Sequence, residues 1–255
     1  MIGGAPAARP DDVGRDAAAR PLAGRVVLVT GAGGGLGRVA SLACACAGAT
    51  VVLLGRRVPK LNRVYDAIAA LAGEGVGGAV NYPLDLAGAT PQDLADLATR
   101  IEAQLGRLDG ILHCAADFTA LTPLAQTDPL AFARSVHVNL GARAWLTQAC
   151  LPLLARAPRA SVVFVVDDAP ESVAYRGGYG VAQAAQVALV EMLKAEMASS
   201  PVALTLFRPG PMRTPLRAKA YVESDPGRAR DPAEHADACV ALLAGAAAAS
   251  DATPA

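Results

Sequence analysis

Val27-Leu-Val-Thr-Gly-Ala-Gly-Gly-Gly-Leu-Gly-Arg38 is the stretch that decides the fold. An apolar run over residues 25–30 ends at Thr30, and a helical pattern opens at Leu36. Between and just beyond them, glycines fall at 31, 35 and 37. A strand that turns sharply into a helix needs glycine where φ is positive. Glycine also lets backbone N–H groups approach a pyrophosphate at a helix N-terminus, which carries partial positive charge. A tight turn without a ligand would use the same residues. The strand before and the helix after are the context that a nucleotide-binding turn requires.

Working outward, further apolar runs cover residues 50–55, 78–84, 108–115, 160–166 and 202–207. They are continuous in Val and Leu rather than alternating, which predicts strands buried on both faces, as in a parallel sheet. Helical spacing fills residues 36–48, 61–71, 91–105, 128–156, 179–197 and 232–243. The alternation predicts an α/β fold: a Rossmann-type doubly wound parallel sheet of six or seven strands in a single domain. Residues 1–22 are Ala/Pro/Gly/Asp-rich without periodicity and read as a disordered N-terminal arm. Residues 23–245 form the dinucleotide-binding domain in this reading, and 246–255 a disordered tail.

Composition excludes several classes. The 255 residues carry no net charge, are 53% hydrophobic and only 18% charged, which rules out disorder for most of the chain. The arginines are scattered and form no basic footprint, so no nucleic-acid partner is expected. No apolar run reaches the ~18 residues of a membrane span. The N-terminus lacks an apolar signal core, and Asp11, Asp12 and Asp16 argue against a transit peptide. The five cysteines show no metal-ligand spacing and read as reduced thiols of a cytoplasmic protein. Cys44 and Cys46, two apart on a helix, are expected to point in different directions. No metal is expected.

Five landmarks in order resemble the short-chain dehydrogenase/reductase family over about residues 24–243. They are Thr30-Gly31-x-x-x-Gly35-x-Gly37, Asp85 after the third strand, Val138-Asn139-Leu140, Tyr179-Gly-Val-Ala-Gln183 and Pro209-Gly210-x-x-x-Thr214. The resemblance implies an oxidoreductase that interconverts a small carbonyl and alcohol with a nicotinamide cofactor. Tyr179 would then be the proton donor, and Asn139 would order a water or the helix. Asp85 would contact the adenine. Thr30, Gly31, Gly35, Leu36, Gly37, Leu86, Ala115, Gln183, Pro209, Gly210 and Thr214 would line the cofactor. A homo-oligomer, dimer or tetramer, is also implied. At the end of the second strand, Gly55-Arg56-Arg57 puts Arg56 where an acid would bind the ribose 2′-OH of NAD. An arginine there accommodates a 2′-phosphate, which favours NADP(H) over NAD(H). Solvated surface charge is the other reading of this pair.

The chain departs from the family where chemistry is concentrated. The family's lysine, four after the tyrosine, is Gln183. Its serine falls at Val166, or at Asp167 or Asp168 if the loop is shorter. Its N-A-G segment reads His113-Cys114-Ala115-Ala116. An ordinary tyrosine has a pKa of about 10, so only ~0.1% is tyrosinate at neutral pH. Without the ammonium, and beside an Asp carboxylate, that fraction falls further. Oxidation, which needs tyrosinate as base, is expected to suffer most; reduction needs only an O–H donor. An acceptor-only Asp167 would repel a developing oxyanion, and in an active enzyme it would orient substrate. A catalytically degenerate nucleotide-binding protein, with a sensing or partner-binding role, is the competing reading. Lys194 lies four helical turns from Tyr179 and is no substitute. Adjacent His113 and Cys114 point to opposite faces of a strand and make a poor dyad.

Overall fold

The computed structural model describes residues 20–71, 73, 75–167, 173–220 and 229–245. Six strands form one sheet: β1 (Val26–Thr30), β2 (Thr50–Gly55), β3 (Ala79–Pro83), β4 (Gly110–His113), β5 (Ala160–Val165) and β6 (Val202–Phe207). Their order is β3-β2-β1-β4-β5-β6, and every neighbouring pair is parallel. This is the doubly wound sheet that the continuous apolar runs predict, with six strands among the described residues.

Successive side chains of a strand face opposite ways, and both faces are covered. Val26 and Leu28 of β1 join one apolar layer, together with Val52 and Leu54 of β2. Val27, Val29, Val51 and Leu53 join the other. The first layer is closed by α3 (Pro91–Leu105), α5 (Ala142–Leu154) and α6 (Gly177–Glu196), the second by α1 (Gly35–Cys46), α2 (Val58–Ala69) and α8 (Ala236–Ala244).

Local chemistry sets the helix ends. Thr90 and Asp93 form a reciprocal capping box before α3, and Gly106 ends it in the left-handed region at φ 73°. Pro59 lies in the first turn of α2 and lets the helix start earlier than its apolar periodicity marks. The long helix expected over residues 128–156 is three pieces. Asp128 caps α4 (Pro129–Val136), a π-helical turn covers His137–Gly141, and α5 follows. Near the C-terminus, a 3-10 turn at Pro232–His235 precedes α8. A short helix, α7 (Pro215–Ala220), follows β6.

Residues 1–19 and 246–255 lie outside the described residues. Leu22, placed in the N-terminal arm by the sequence reading, is buried in the second layer, and its N–H donates to the Ala47 carbonyl at 3.0 Å. It therefore belongs to the packed domain.

Asp109 fastens the start of the sheet. Its buried carboxylate accepts the Val26 N–H at 2.8 Å and a two-pronged bond from Arg107 at 2.8 and 2.6 Å. Asp109→Ala leaves a buried strand N–H without its acceptor, so the expected loss is about 2 kcal/mol. The check is a denaturant midpoint that falls while the slope stays constant.

Candidate active site

The strand order reverses between β1 and β4, and a crevice opens beyond the carboxyl ends of these strands. It holds a cavity of about 430 Å³. Gly31, Gly35 and Leu36 line it from the glycine turn, and Arg56 from the end of β2. Asp85 and Leu86 follow β3, and Ala115 follows β4. Asp167, Tyr179 and Gln183 line the deep corner; Pro209, Gly210 and Thr214 line the side formed after β6.

Three residues expected in the site do not line the cavity. Thr30 is buried behind the turn, where its hydroxyl accepts the Ala115 N–H at 3.1 Å and ties β1 to β4. Gly37 packs against the backbone of Gly31. Asn139 is buried in the π-helical turn, with both ends of its amide engaged. Nδ2 donates to the carbonyls of Asp117 and Ser135, each at 2.7 Å, and Oδ1 accepts the Asp117 N–H at 3.0 Å. Of the two roles expected for it, this geometry serves the ordering of the helix.

The glycine turn suits a pyrophosphate. α1 starts at an N-cap glycine, Gly34, with no side-chain cap and no acid in its first turn. Its first N–H groups therefore lack a side-chain acceptor, which leaves partial positive charge beside the cavity. Arg57 and Lys60 join Arg56 on the lining, so three cations meet at the mouth by β2. From the sequence, only Arg56 was assigned a cofactor contact.

The deep corner is built from the end of β5 and the start of α6. Val166 is buried, and Asp167 reaches Tyr179, whose O–H donates to Asp167 Oδ2 at 3.2 Å. Val166 and Asp167 both line the cavity, and Asp167 is the one that meets the phenol; Asp168 lies outside the described residues. Arg176 donates to the same carboxylate oxygen, and its guanidinium carbon lies 5.2 Å from the centre of the Tyr179 ring. On another side, the Phe118 ring packs at 4.9 Å. The Asp167 N–H donates to Gln183 Oε1 at 2.9 Å. Tyr175, with φ 71°, precedes Arg176, and its carbonyl accepts the Thr122 N–H.

Burial pushes the Tyr179 phenol well above its ordinary pKa, and the Asp167 charge adds to this; Arg176 and Arg143 oppose it. The hydroxyl is therefore protonated throughout the neutral range, a donor rather than a base. The repelling carboxylate foreseen from the sequence carries an ion pair to Arg176, a partner that reading missed. Arg176 lies three residues before Tyr179, and this spacing was the available signal.

Arg143 was missed as well. It is 1% exposed, on the inner face of α5, and lines the cavity. An arginine four residues after Asn139, on a face otherwise formed by Ala142, Leu146 and Cys150, was the signal. Elsewhere the expectations from spacing hold. Cys44 is buried and Cys46 exposed. His113 stacks on Phe164 and meets Thr147, while Cys114 packs into the other layer. Among the described residues, no group of three His, Cys, Asp or Glu could hold a metal, and no helix is long and apolar enough to cross a membrane.

Comparison with known proteins agrees with this geometry. Residues 25–224 match the family model of the short chain dehydrogenases. An uncharacterised oxidoreductase of Escherichia coli K12, YciK, is 34% identical over 211 residues, 82% of this chain and 82% of its own. A Pseudomonas syringae structure assigned to the short-chain dehydrogenases superposes with a TM-score of 0.83 at 37% identity, over 88% of this chain and 91% of that one. One from Escherichia coli CFT073, complexed with NADPH, gives 0.81 at 33%, over 88% and 92%.

Proposed function

The chain belongs to the short-chain dehydrogenase family, and from that premise we propose that it is an NADP(H)-dependent oxidoreductase working toward reduction of a small carbonyl, with Tyr179 as proton donor. The observation that carries this reading is a tyrosine hydroxyl, hydrogen-bonded to Asp167, in the same cavity as an uncapped glycine turn. The NADPH held by the Escherichia coli relative supports the cofactor class.

The dinucleotide, when bound, supplies the hydride. Gly31, Gly35 and Leu36 would hold its pyrophosphate with backbone N–H groups, and Asp85 and Leu86 would flank its adenine. Ala115, Pro209, Gly210 and Thr214 would enclose its other end, and Gln183 would hydrogen-bond its ribose. Asn139 keeps the π-helical turn in shape, and Thr30 and Gly37 keep the glycine turn in shape. Tyr179 turns its O–H from Asp167 to the carbonyl oxygen and gives up the proton there. Asp167, paired with Arg176, holds the phenol until then and orients the substrate. A cytoplasmic homo-oligomer, dimer or tetramer, belongs to the same reading.

Arg56 is expected to set the cofactor preference. A charge-assisted contact to phosphate contributes roughly 1.5–3 kcal/mol, so NADPH should bind about tenfold or more tighter than NADH. Arg56→Ala should erase most of that difference, with Arg57 and Lys60 keeping a remnant. Fluorescence titration of both cofactors checks this. Equal affinities, unchanged in the variant, would make Arg56 a plain surface charge.

A second reading is a nucleotide-binding protein without turnover. It is favoured by the Tyr179 O–H being donated to Asp167 and by the uncharged Gln183. Single-turnover mixing of the NADPH complex with a panel of aldehydes and ketones separates the two: decay of the reduced cofactor signals reduction, and tight binding without decay signals the second reading.

A further inference from the structure

Building on the proposed reduction, we propose that Arg143 is a positioning residue that supplies, from α5, the positive potential for Tyr179 that Gln183 does not provide. Burying a guanidinium costs several kcal/mol unless it is well bonded. Arg143 spends its donors on three neutral oxygens: the carbonyls of Val165 at 2.9 Å and Ala115 at 2.5 Å, and Gln186 Oε1. None of these cancels its charge. Bracketing two carbonyls needs donors but no cation, so a purely structural role leaves the charge unexplained. Val165 ends β5 and Ala115 follows β4, so the bonds fix the guanidinium at the floor of the cavity that Tyr179 lines. Its Nε and the Gln186 Nε2 are buried without a partner.

A charge count over the described residues of the corner points the same way. The family pattern is neutral Ser, neutral Tyr and one Lys, a net single positive charge. Tyr179, Asp167 and Gln183 alone carry a net negative charge. Arg176 brings this to zero, and Arg143 restores the single positive charge. When the Tyr179 proton passes to the carbonyl oxygen and hydride to its carbon, an alcohol and a tyrosinate result. Solvent then returns the proton to the tyrosinate. Among the described residues, the charged groups around Tyr179 are Asp167, Arg176 and Arg143; those around Arg143 are Tyr179 and the titratable Cys114 and His113. Burial lowers the Arg143 pKa to about 10, so it stays a cation at neutral pH.

The test contrasts charge with bonding. Arg143→Gln keeps a donor and removes the charge; Arg143→Lys keeps the charge. Arg143→Met repeats the neutral case with a side chain that needs no partner. Reduction by the neutral variants at neutral pH is expected to fall about tenfold or more, the equivalent of one pKa unit. Arg143→Lys should retain most activity, and adding Gln183→Lys to Arg143→Gln should recover most of the loss. NADPH affinity and the melting temperature report folding. Equal losses in the Gln and Lys variants, without recovery by Gln183→Lys, overturn the proposal. A second measurement does not depend on turnover. In an Asp167→Asn background, the Tyr179 titration is followed by tyrosinate absorbance, with Tyr179→Phe subtracted. Adding Arg143→Gln, or Arg143→Met, should raise that pKa by about one unit or more. No shift overturns the role of Arg143 even if reduction is found, and a shift upholds it even if turnover is absent.

Discussion

Combining Gln183→Lys with Asp167→Ser is expected to raise alcohol oxidation at neutral pH by about tenfold or more, and carbonyl reduction with it, because the two directions share one transition state. Gln183 lies four residues after Tyr179 on α6, so the two side chains share a helix face. An ammonium there stabilises tyrosinate, and each pKa unit gained is about 1.4 kcal/mol, or tenfold. The single Gln183→Lys change should gain less, because the new ammonium lies beside Asp167 and pairs with it. Asp167→Ser removes the carboxylate that now accepts the Tyr179 proton and supplies a hydroxyl donor in its place. It also releases Arg176 from its ion pair, and that cation over the phenol ring adds to the tyrosinate's stability. Val166→Ser would add a hydroxyl to the same cavity but leave the Asp167 carboxylate on the phenol, so its gain should be smaller. The measurement is turnover in both directions for the single and double variants across about pH 6 to 10, up to the ordinary tyrosine pKa. The rate of oxidation should reach its plateau at lower pH in the double variant. If the wild type reduces carbonyls briskly and the double variant is slower in both directions, the corner has been rebuilt around the Asp167–Arg176 pair, and its resemblance to the family's chemistry ends there.

The frame of this site was legible because it is written in local patterns. Continuous Val/Leu runs gave β1 and β2 their burial on both faces, and the glycines at 31, 35 and 37 marked the turn between β1 and α1. The Thr90–Asp93 box fixed the start of α3 at the residue its periodicity marks. The deep corner of the cavity was less legible, because its partners are not periodic. Val166, Asp167 and Asp168 stand as three candidates in the sequence, because no local pattern marks how the loop before α6 runs. Arg176 acts through a carboxylate nine positions away, and Arg143 through carbonyls more than twenty positions away. The helix break at His137–Gly141 has no glycine or proline at its start; Asn139 holds it through bonds to Asp117, 22 residues earlier. These are long-range pairings, which composition and spacing along one segment do not encode.

Gly35 and Gly37, two residues apart in one motif, are expected to fail in opposite ways when each is replaced by alanine. A Cβ on Gly37 would lie 2.4 Å from the Gly31 carbonyl oxygen and 2.8 Å from its carbon. Both are backbone atoms of the turn, and Gly31 is itself pinned against the backbone of Ala115, which its own Cβ would meet at 2.9 Å. Relief requires moving β1 against α1, so Gly37→Ala should cost about 3 kcal/mol, at the upper end for overpacking. For a chain of this size that lowers the melting temperature by roughly 6–12 °C. Gly35 differs. Its φ is 49°, so alanine carries about 1–2 kcal/mol of backbone strain. Its Cβ would meet only the Thr214 methyl at 3.3 Å, a side chain that can turn aside. The methyl would instead project toward the cavity beside the uncapped N–H groups of α1, where the pyrophosphate is proposed to lie. Gly35→Ala should therefore weaken NADPH binding about tenfold or more while melting only a few degrees lower. Calorimetric melting with and without NADPH reads both quantities in one experiment. For Gly35→Ala, the stabilisation by saturating NADPH should shrink although the free protein stays folded. For Gly37→Ala, the free protein should melt early, and whatever remains folded should still gain stability from NADPH. Should Gly35→Ala bind NADPH as tightly as the wild type, the pyrophosphate does not sit on this turn.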